Sequence, residues 1–235
     1  MAEKTVLITQ SNYIPWKGYF DLINLADEFV IYDDMQFTRR DWRSRNKIKT
    51  PQGLHWLTVP VQVKGKFNQK IKDTEIAEED WAEQHWKTIK QNYAATPYFQ
   101  QFKEPFEAIY LGKKFRLLSE LNHALIVTVC SALGIKPSIR WSSEFDLAED
   151  RTQRLVDICK TLGGTRYITG PAAKAYMDES MFAAAGVALD YFDYSNYPPY
   201  HQLHGEFAHD VSVLDLIFNE GKNAPKFMKT FGRFE

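Results

Sequence analysis

The sequence predicts an α/β fold, a mostly parallel sheet with helices on both faces (Rossmann-like), with a β-hairpin and a helical insertion. Three observations predict it. The stretch up to Tyr32 reads strand, loop, helix, strand, its hydrophobic period switching from continuous to helical and back, as in a βαβ unit. Short apolar strands alternating with helices resume after residue 136. Of the 235 residues 44% are hydrophobic, with 16 Phe, 12 Tyr and 6 Trp, enough to fill a core without disulfide or metal.

Taken in order, Thr5–Thr9 reads as a strand, Gln10–Pro15 as a loop, Trp16–Ala26 as a helix and Phe29–Tyr32 as a second strand. A polar, basic stretch follows from Asp33 to Arg45. Asn46–Thr50 and His55–Val61 flank Thr50-Pro51-Gln52-Gly53, where Pro and Gly stand where a turn wants them, so a hairpin is predicted. Gln69–Ile76 is a candidate further strand. Trp81, His85, Trp86, Ile89 and Tyr93 recur at helical spacing, and Leu118, Leu121, Leu125, Val129 and Leu133 form a second stripe stopped by Gly134 and Pro137. Pro137–Trp141 is the next strand. Asp150-Arg-Thr-Gln153 resembles a capping box opening a helix with Leu155, Ile158, Cys159 and Leu162 on one face, ended by Gly163-Gly164. Arg166–Thr169 is a strand, Lys174–Ala185 holds helical pieces, Ala188–Tyr194 is a strand and Asp210–Asn219 a last helix. One domain over residues 1–235 is expected, with the helical insertion at about 77–135.

Charge and cysteine content narrow the class. A net charge of −1 speaks against a dedicated nucleic-acid binder, though not against a local phosphate site. No run approaches the roughly 20 apolar residues of a membrane span, and no secretion signal precedes Thr5. Cys130 and Cys159, both on apolar helical stripes, read as reduced core residues of a cytoplasmic protein. Dinucleotide-binding, Walker A, nucleophile-elbow and zincin signatures are all absent.

Ligands of open α/β sheets gather beyond the carboxyl ends of the strands, and three such loops carry the densest chemistry. In the first, Gln10, Asn12 and Tyr13 offer amide and phenol groups ahead of a helix N-terminus that favours anions; Lys17 is placed to reach a phosphate, Gly18 to allow close backbone approach, and Tyr19 to bind or pack. In the second, adjacent Asp33 and Asp34 could hold Mg²⁺ or accept a proton, and Gln36 adds an amide. Arg39, Arg40, Arg43, Arg45 and Lys47 offer phosphate- or carboxylate-binding charge, with Arg45, Asn46 and Lys47 preferred because they open a strand. In the third, Thr169 and Gly170 form a tight turn with exposed N–H groups, near Lys174, Tyr176 and Tyr197. His201 is the candidate acid/base histidine. The spacing of His201, His204 and His209 fits no zinc signature, so no metal site is assigned to them. The pocket is placed between 10–19 and 33–47, closed by 169–174, with Arg45 facing Asn12 and Asp33.

Through Gln10-Ser-Asn-Tyr-Ile-Pro-Trp-Lys-Gly-Tyr-Phe20, Tyr32-Asp-Asp-Met-Gln-Phe37, Arg45-Asn-Lys-Ile48, Trp56-Leu-Thr-Val-Pro60, Tyr167-Ile-Thr-Gly170 and Ser212-Val-Leu-Asp215, the chain resembles the WbqC-like protein family over nearly its whole length. It departs from that family's frequent Gln-Pro before Asn-Tyr by carrying Ser11, a change expected to loosen the loop. The resemblance implies a role in surface-polysaccharide (O-antigen) biosynthesis, attaching glycine or a related acyl group to an amino sugar. A looser, fold-level likeness to the HIGH superfamily, especially pantothenate synthetases, rests on the first βαβ unit and Gln36-Phe37, without the signature histidines.

The expectation is an N-acyl transferase, glycyl transfer among the candidates, acting on an amino sugar or nucleotide sugar, with Asn12, Tyr13, Asp33, Asp34 and His201 at the chemistry. The acyl donor is left open between a free amino acid with ATP and Mg²⁺, an acyl-CoA and an aminoacyl-tRNA. The alternatives are a non-catalytic nucleotide-sugar-binding component and a nucleotidyl transferase on the same fold.

Overall fold

A computed structural model describes residues 3–77 and 80–231. Five parallel strands form the main sheet: β1 (Thr5–Thr9), β2 (Glu28–Ile31), β5 (Ser138–Trp141), β6 (Arg166–Thr169) and β7 (Ala188–Tyr191), in the order β5-β2-β1-β6-β7. The chain starts at the centre, builds outward through β2 and β5, then returns to the other side of β1. The direction of winding therefore reverses between β1 and β6, the position at which such sheets open a crevice.

Alternation along the strands explains the two-faced burial. Leu7, Phe29, Ile31 and Ile168 point into one apolar cluster, Val6, Ile8, Val30 and Tyr167 into another. The first cluster is closed by α1 (Lys17–Leu25), α2 (Trp81–Tyr93), α3 (Phe99–Gly112), α4 (Leu118–Leu133) and α7 (Val213–Glu220), the second by α5 (Arg151–Thr161) and α6 (Glu179–Ala184). The antiparallel hairpin of β3 (Arg45–Thr50) and β4 (Gly53–Thr58) is a separate two-stranded sheet. Helices α2, α3 and α4 occupy the stretch between that hairpin and β5.

The expected elements are present with ends shifted by a few residues, and three readings change. Gln69–Ile76 is no strand: it makes only isolated bridges at Lys70, Glu75 and Ile76 and coils into a short 3-10 turn at Ile71–Asp73. Its Ile71 and Lys72 amides are taken up by the carbonyls of Met35 and Asp33, so it braces the loop after β2 instead of extending a ladder. The Asp150 cap is half a box: its carboxylate accepts from Thr152 N (2.9 Å) and Gln153 N (2.8 Å), while the Gln153 side chain donates to Asp157. Ser11 tightens its loop where loosening was expected. Its N–H and Oγ both donate to Asp33, at 2.8 and 2.7 Å, and a proline there would lack the first of these donors.

Candidate active site

The loop after β1 carries the local strain of the site. Ile14 has φ 36, a left-handed conformation unusual for a β-branched residue. Buried Asn46, on β3, holds it there: its Nδ2 donates to the carbonyls of Tyr13 (3.2 Å) and Ile14 (2.9 Å). The same loop is stitched to residues 41–44 by Tyr13 N to Trp42 O (2.9 Å) and by Asn122 of α4, which donates to Ser11 Oγ and Arg43 O.

Between these braced loops lies a slot of about 270 Å³ lined by Asn12, Pro15, Trp16, Trp42, Asn46, His209 and Asp210. Two indoles, the Asn12 amide, an imidazole and a carboxylate suit a ligand with an apolar face and hydroxyl or amine groups, while the Asn46 amide is spent on the loop. Trp16 is held as a wall by Tyr194 and Tyr197, with ring centroids 5.2 and 5.5 Å away. Gly18 serves this wall: a Cβ there would come within 3.0 Å of three indole atoms, so the glycine makes room for Trp16 and not for a ligand. Burial, and then the charge of Lys17, hold the His209 imidazole below its usual 6.5 against the pull of Asp210, which leaves it neutral at pH 7.

A second cavity of about 370 Å³ sits at the winding reversal, lined by Thr9 and Gln10 at the end of β1, Tyr32 and Met35 beyond β2, Thr169 at the end of β6 with Tyr176 beyond it, and Arg151 and Arg154 from the first turn of α5. Arg43 links the two cavities. Its guanidinium donates through Nη1 to Asn12 Oδ1 (3.0 Å) in the slot and through Nη2 to Gln10 Oε1 in the crevice. With Asn12 Oδ1 so occupied, its Nδ2 is the group left to donate to a ligand.

Several residues expected at the chemistry are walled in. Tyr13 is fully buried, its hydroxyl bonded to Tyr110 Oη (2.6 Å) and His85 Nδ1 (2.8 Å); burial and the neighbouring Tyr110 keep it protonated. Asp33 is 1% exposed and accepts from Ser11 and Ser119; burial raises its pKa against those bonds. Asp34, although burial opposes it, is held below the usual carboxylate range by Lys72 (2.6 Å), Ser142 (2.9 Å) and Lys70 (3.2 Å). Each carboxylate is thus committed to donors of the chain, and the pair does not fit a Mg²⁺ holder. Among the described residues no three His, Cys, Asp or Glu side chains converge as a metal site.

Lys17 is buried, donates to the carbonyls of Pro198 (3.1 Å) and Phe227 (2.9 Å), and is pulled down to about 8 by burial. Tyr19 donates to Gln10 O and Tyr197 to Asp21 (2.5 Å), so both are internal ties. Gln36 is exposed and bonds Phe67 O, Lys174 lies over the Tyr191 ring, and His201 is exposed; none of the three lines either cavity. Gly170, next to the crevice residue Thr169, has an ordinary φ of −76 and faces Tyr194. Arg45 does not face Asn12 and Asp33. Its guanidinium stacks 4.2 Å over Trp56 on the outer hairpin face, and Lys47 beside it pairs with Asp210. Of the expected set, Asn12 and Asn46 meet in the slot, and Gln10, Thr169 and Tyr176 meet in the crevice.

Sequence reasoning counted Arg43 among the anion-binding residues of its loop but preferred Arg45, and it missed Trp16, Trp42, His209 and Asp210, and in the crevice Arg151 and Arg154. One signal could have found the last two. A helix that follows a strand of a parallel sheet starts at the carboxyl edge, so the first turn after Asp150 had to face that crevice.

The model of the WbqC-like protein family matches residues 10–227. The chain is also 49% identical over 226 residues to a protein of Mycobacterium tuberculosis (strain ATCC 25618 / H37Rv) named Uncharacterized protein Rv1507c, covering 96% of this chain and 98% of that one. No solved structure matches it.

Proposed function

The chain belongs to the WbqC-like protein family, and from that membership and the site we propose an amide-forming N-acyltransferase that acts on an amino sugar in polysaccharide biosynthesis. The observation that carries this reading is the two-tryptophan slot holding a neutral histidine, joined by one guanidinium to the sheet's switch-point crevice. The sugar ring lies in the slot against Trp16 and Trp42, and the acyl donor lies in the crevice with its anionic part toward Arg151 and Arg154. The sugar amine attacks the carbonyl carbon of an activated donor, which is a thioester, a tRNA ester or the mixed phosphoric anhydride that the free acid forms with ATP on release of pyrophosphate or ADP. A C–N bond forms, and the bond to the thiolate, tRNA or phosphate leaving group breaks with its electron pair going to that group. The proton shed by the amine passes to the His209 imidazole. Arg43 and the Asn12 amide stand where negative charge on the carbonyl oxygen would be met.

The test is mass spectrometry of a nucleotide-linked amino sugar incubated with glycine and ATP, with acetyl-CoA, or with glycyl-tRNA. A gain of one acyl unit with one donor, reduced at least a hundred-fold in His209→Asn, is expected. No adduct with any donor class overturns the reading. The commitment of Asp33 and Asp34 to internal donors favours, as a second reading, a component that binds the sugar without turnover; calorimetric binding with no product over hours would select it. The same commitment weighs against metal-assisted nucleotidyl transfer.

A further inference from the structure

Outside the slot, the outer face of the hairpin carries an aromatic, basic shelf that the reaction does not use. Trp42 and Trp56 are 42% and 40% exposed, with ring centroids 5.5 Å apart and planes tilted by 37°. They adjoin because Trp42 ends the loop before β3 while Trp56 stands opposite Lys47 across the β3–β4 register. Trp42 is shared: one part of it walls the slot and the rest continues onto the shelf.

The cations of this face differ in how they are balanced. Lys47 is paired with Asp210, and Lys49 donates to the carbonyl of Glu206. Arg45 has no carboxylate partner among the described residues; its guanidinium lies 4.2 Å over Trp56, and its Nε is shielded from solvent with nothing to bond. A guanidinium with no carboxylate partner, stacked beside two exposed indoles, is a site for a group that is both planar and anionic.

Volume decides which part of a substrate this is. The slot, at about 270 Å³, falls just below the ~300 Å³ where small-molecule pockets begin, so it takes a sugar ring and not the larger carrier group attached to it. The carrier must leave by an open side, and the shelf begins at the slot's own Trp42 wall. We infer that the Trp42–Trp56–Arg45 shelf binds the nucleoside diphosphate of a nucleotide-linked sugar whose ring occupies the slot. The base stacks on the indoles and the diphosphate meets Arg45. The inference rests on the acyltransferase reading for the sugar in the slot, but it concerns a separate part of the ligand.

Calorimetry with two probes separates the two. Uridine diphosphate, which has no amino sugar, tests the shelf; free glucosamine tests the slot. The full chain should bind uridine diphosphate, and Arg45→Gln should weaken it about ten-fold or more, the scale of one charged hydrogen bond. Trp56→Leu should weaken it by a similar factor. Neither substitution should alter glucosamine binding, which His209→Asn or a bulkier residue at Gly18 should impair. Uridine diphosphate binding that is unmoved in both shelf variants but lost in Arg151→Gln would put the nucleotide in the crevice and overturn the inference, as would no binding of uridine diphosphate at all. Failure of glucosamine alone would count against the slot and leave the shelf standing.

Discussion

Replacing Asn46 by Ala tests whether the slot depends on a loop held under strain. In the wild type the Asn46 amide, 2% exposed, donates to the carbonyls of Tyr13 and Ile14. Each of these bonds contributes about 0.5–1.5 kcal/mol net, and truncation leaves both carbonyls facing an apolar void. Ile14 at φ 36 stores about 1–3 kcal/mol of backbone strain that those bonds hold in place, and its relaxation returns part of the loss. The balance is a destabilisation of about 2–3 kcal/mol. For a chain of this size that lowers the melting temperature by about 4–12 °C. Urea and thermal melts followed by tryptophan fluorescence measure it, since Trp16 and Trp42 both border the moving loop. Asn46→Asp should be worse than Ala at pH 7, because it turns a donor into a charged acceptor against two carbonyls, and should recover on acidification. An Asn46→Ala protein within about 0.5 kcal/mol of wild type, with unchanged affinity for the sugar, would refute the reasoning.

The remaining predictions concern single contacts. Gly18→Ala should displace the Trp16 indole, cost about 1–3 kcal/mol and shift tryptophan emission to the red, with sugar binding lost; unchanged emission would show that the indole has room. If His209 takes the amine proton, the acyl-transfer rate should be flat above pH 7 and fall as the pH drops through its lowered pKa, and His209→Asn should remove that acid limb from whatever activity remains. Asp34 titrates below its ordinary 3.8 in the fold, so its bonds to Lys70 and Lys72 contribute stability that is fully present above about pH 4 and lost as the pH falls through the folded-state value. Asp34→Asn should therefore lower the urea midpoint at pH 7, with the gap to wild type closing in acid; a constant gap would assign the loss to packing.

The parts of this fold that were legible in sequence are those set by local pattern. Thr5–Thr9 and Arg166–Thr169 begin and end where their apolar runs do, and the long stripe from Leu118 stops at Gly134, whose φ of 76 is the left-handed cap that the glycine announced. Gln69–Ile76 misled because its backbone amides answer to the carbonyls of Asp33 and Met35, which come from the distant β2 loop. The site divides in the same way. Asn12 and Gln10 could be placed at the end of the first strand by topology alone. Among the basic residues from Arg39 to Lys47, however, the choice of Arg43 over Arg45 depends on where β3 begins and on Asn122, nearly eighty residues later, holding the Arg43 carbonyl. The same distance hid His209: its neighbours Trp16 and Asn12 are at the opposite end of the chain, and only packing pairs them.

That pairing has a consequence for how the protein is made. The slot takes one wall from residues 12–46 and the other from His209 and Asp210, and the central strand β1 waits for β6 as its second neighbour. Lys17 and Asp21 of α1 are in turn satisfied by Tyr197, Pro198, Phe227, Lys229 and Thr230, all late in the chain. At the usual rate of translation the first half of the site leaves the ribosome on the order of ten to thirty seconds before the second. During that interval the nascent chain exposes the β6 edge of its central strand and a helix whose lysine and aspartate, buried in the finished fold, are open to water. No ligand of the slot can stabilise it then, because half of the slot has not yet been synthesised. Ligand can select the finished fold but cannot template it, and until β6 is made the open edge of β1 is available for pairing with other strands.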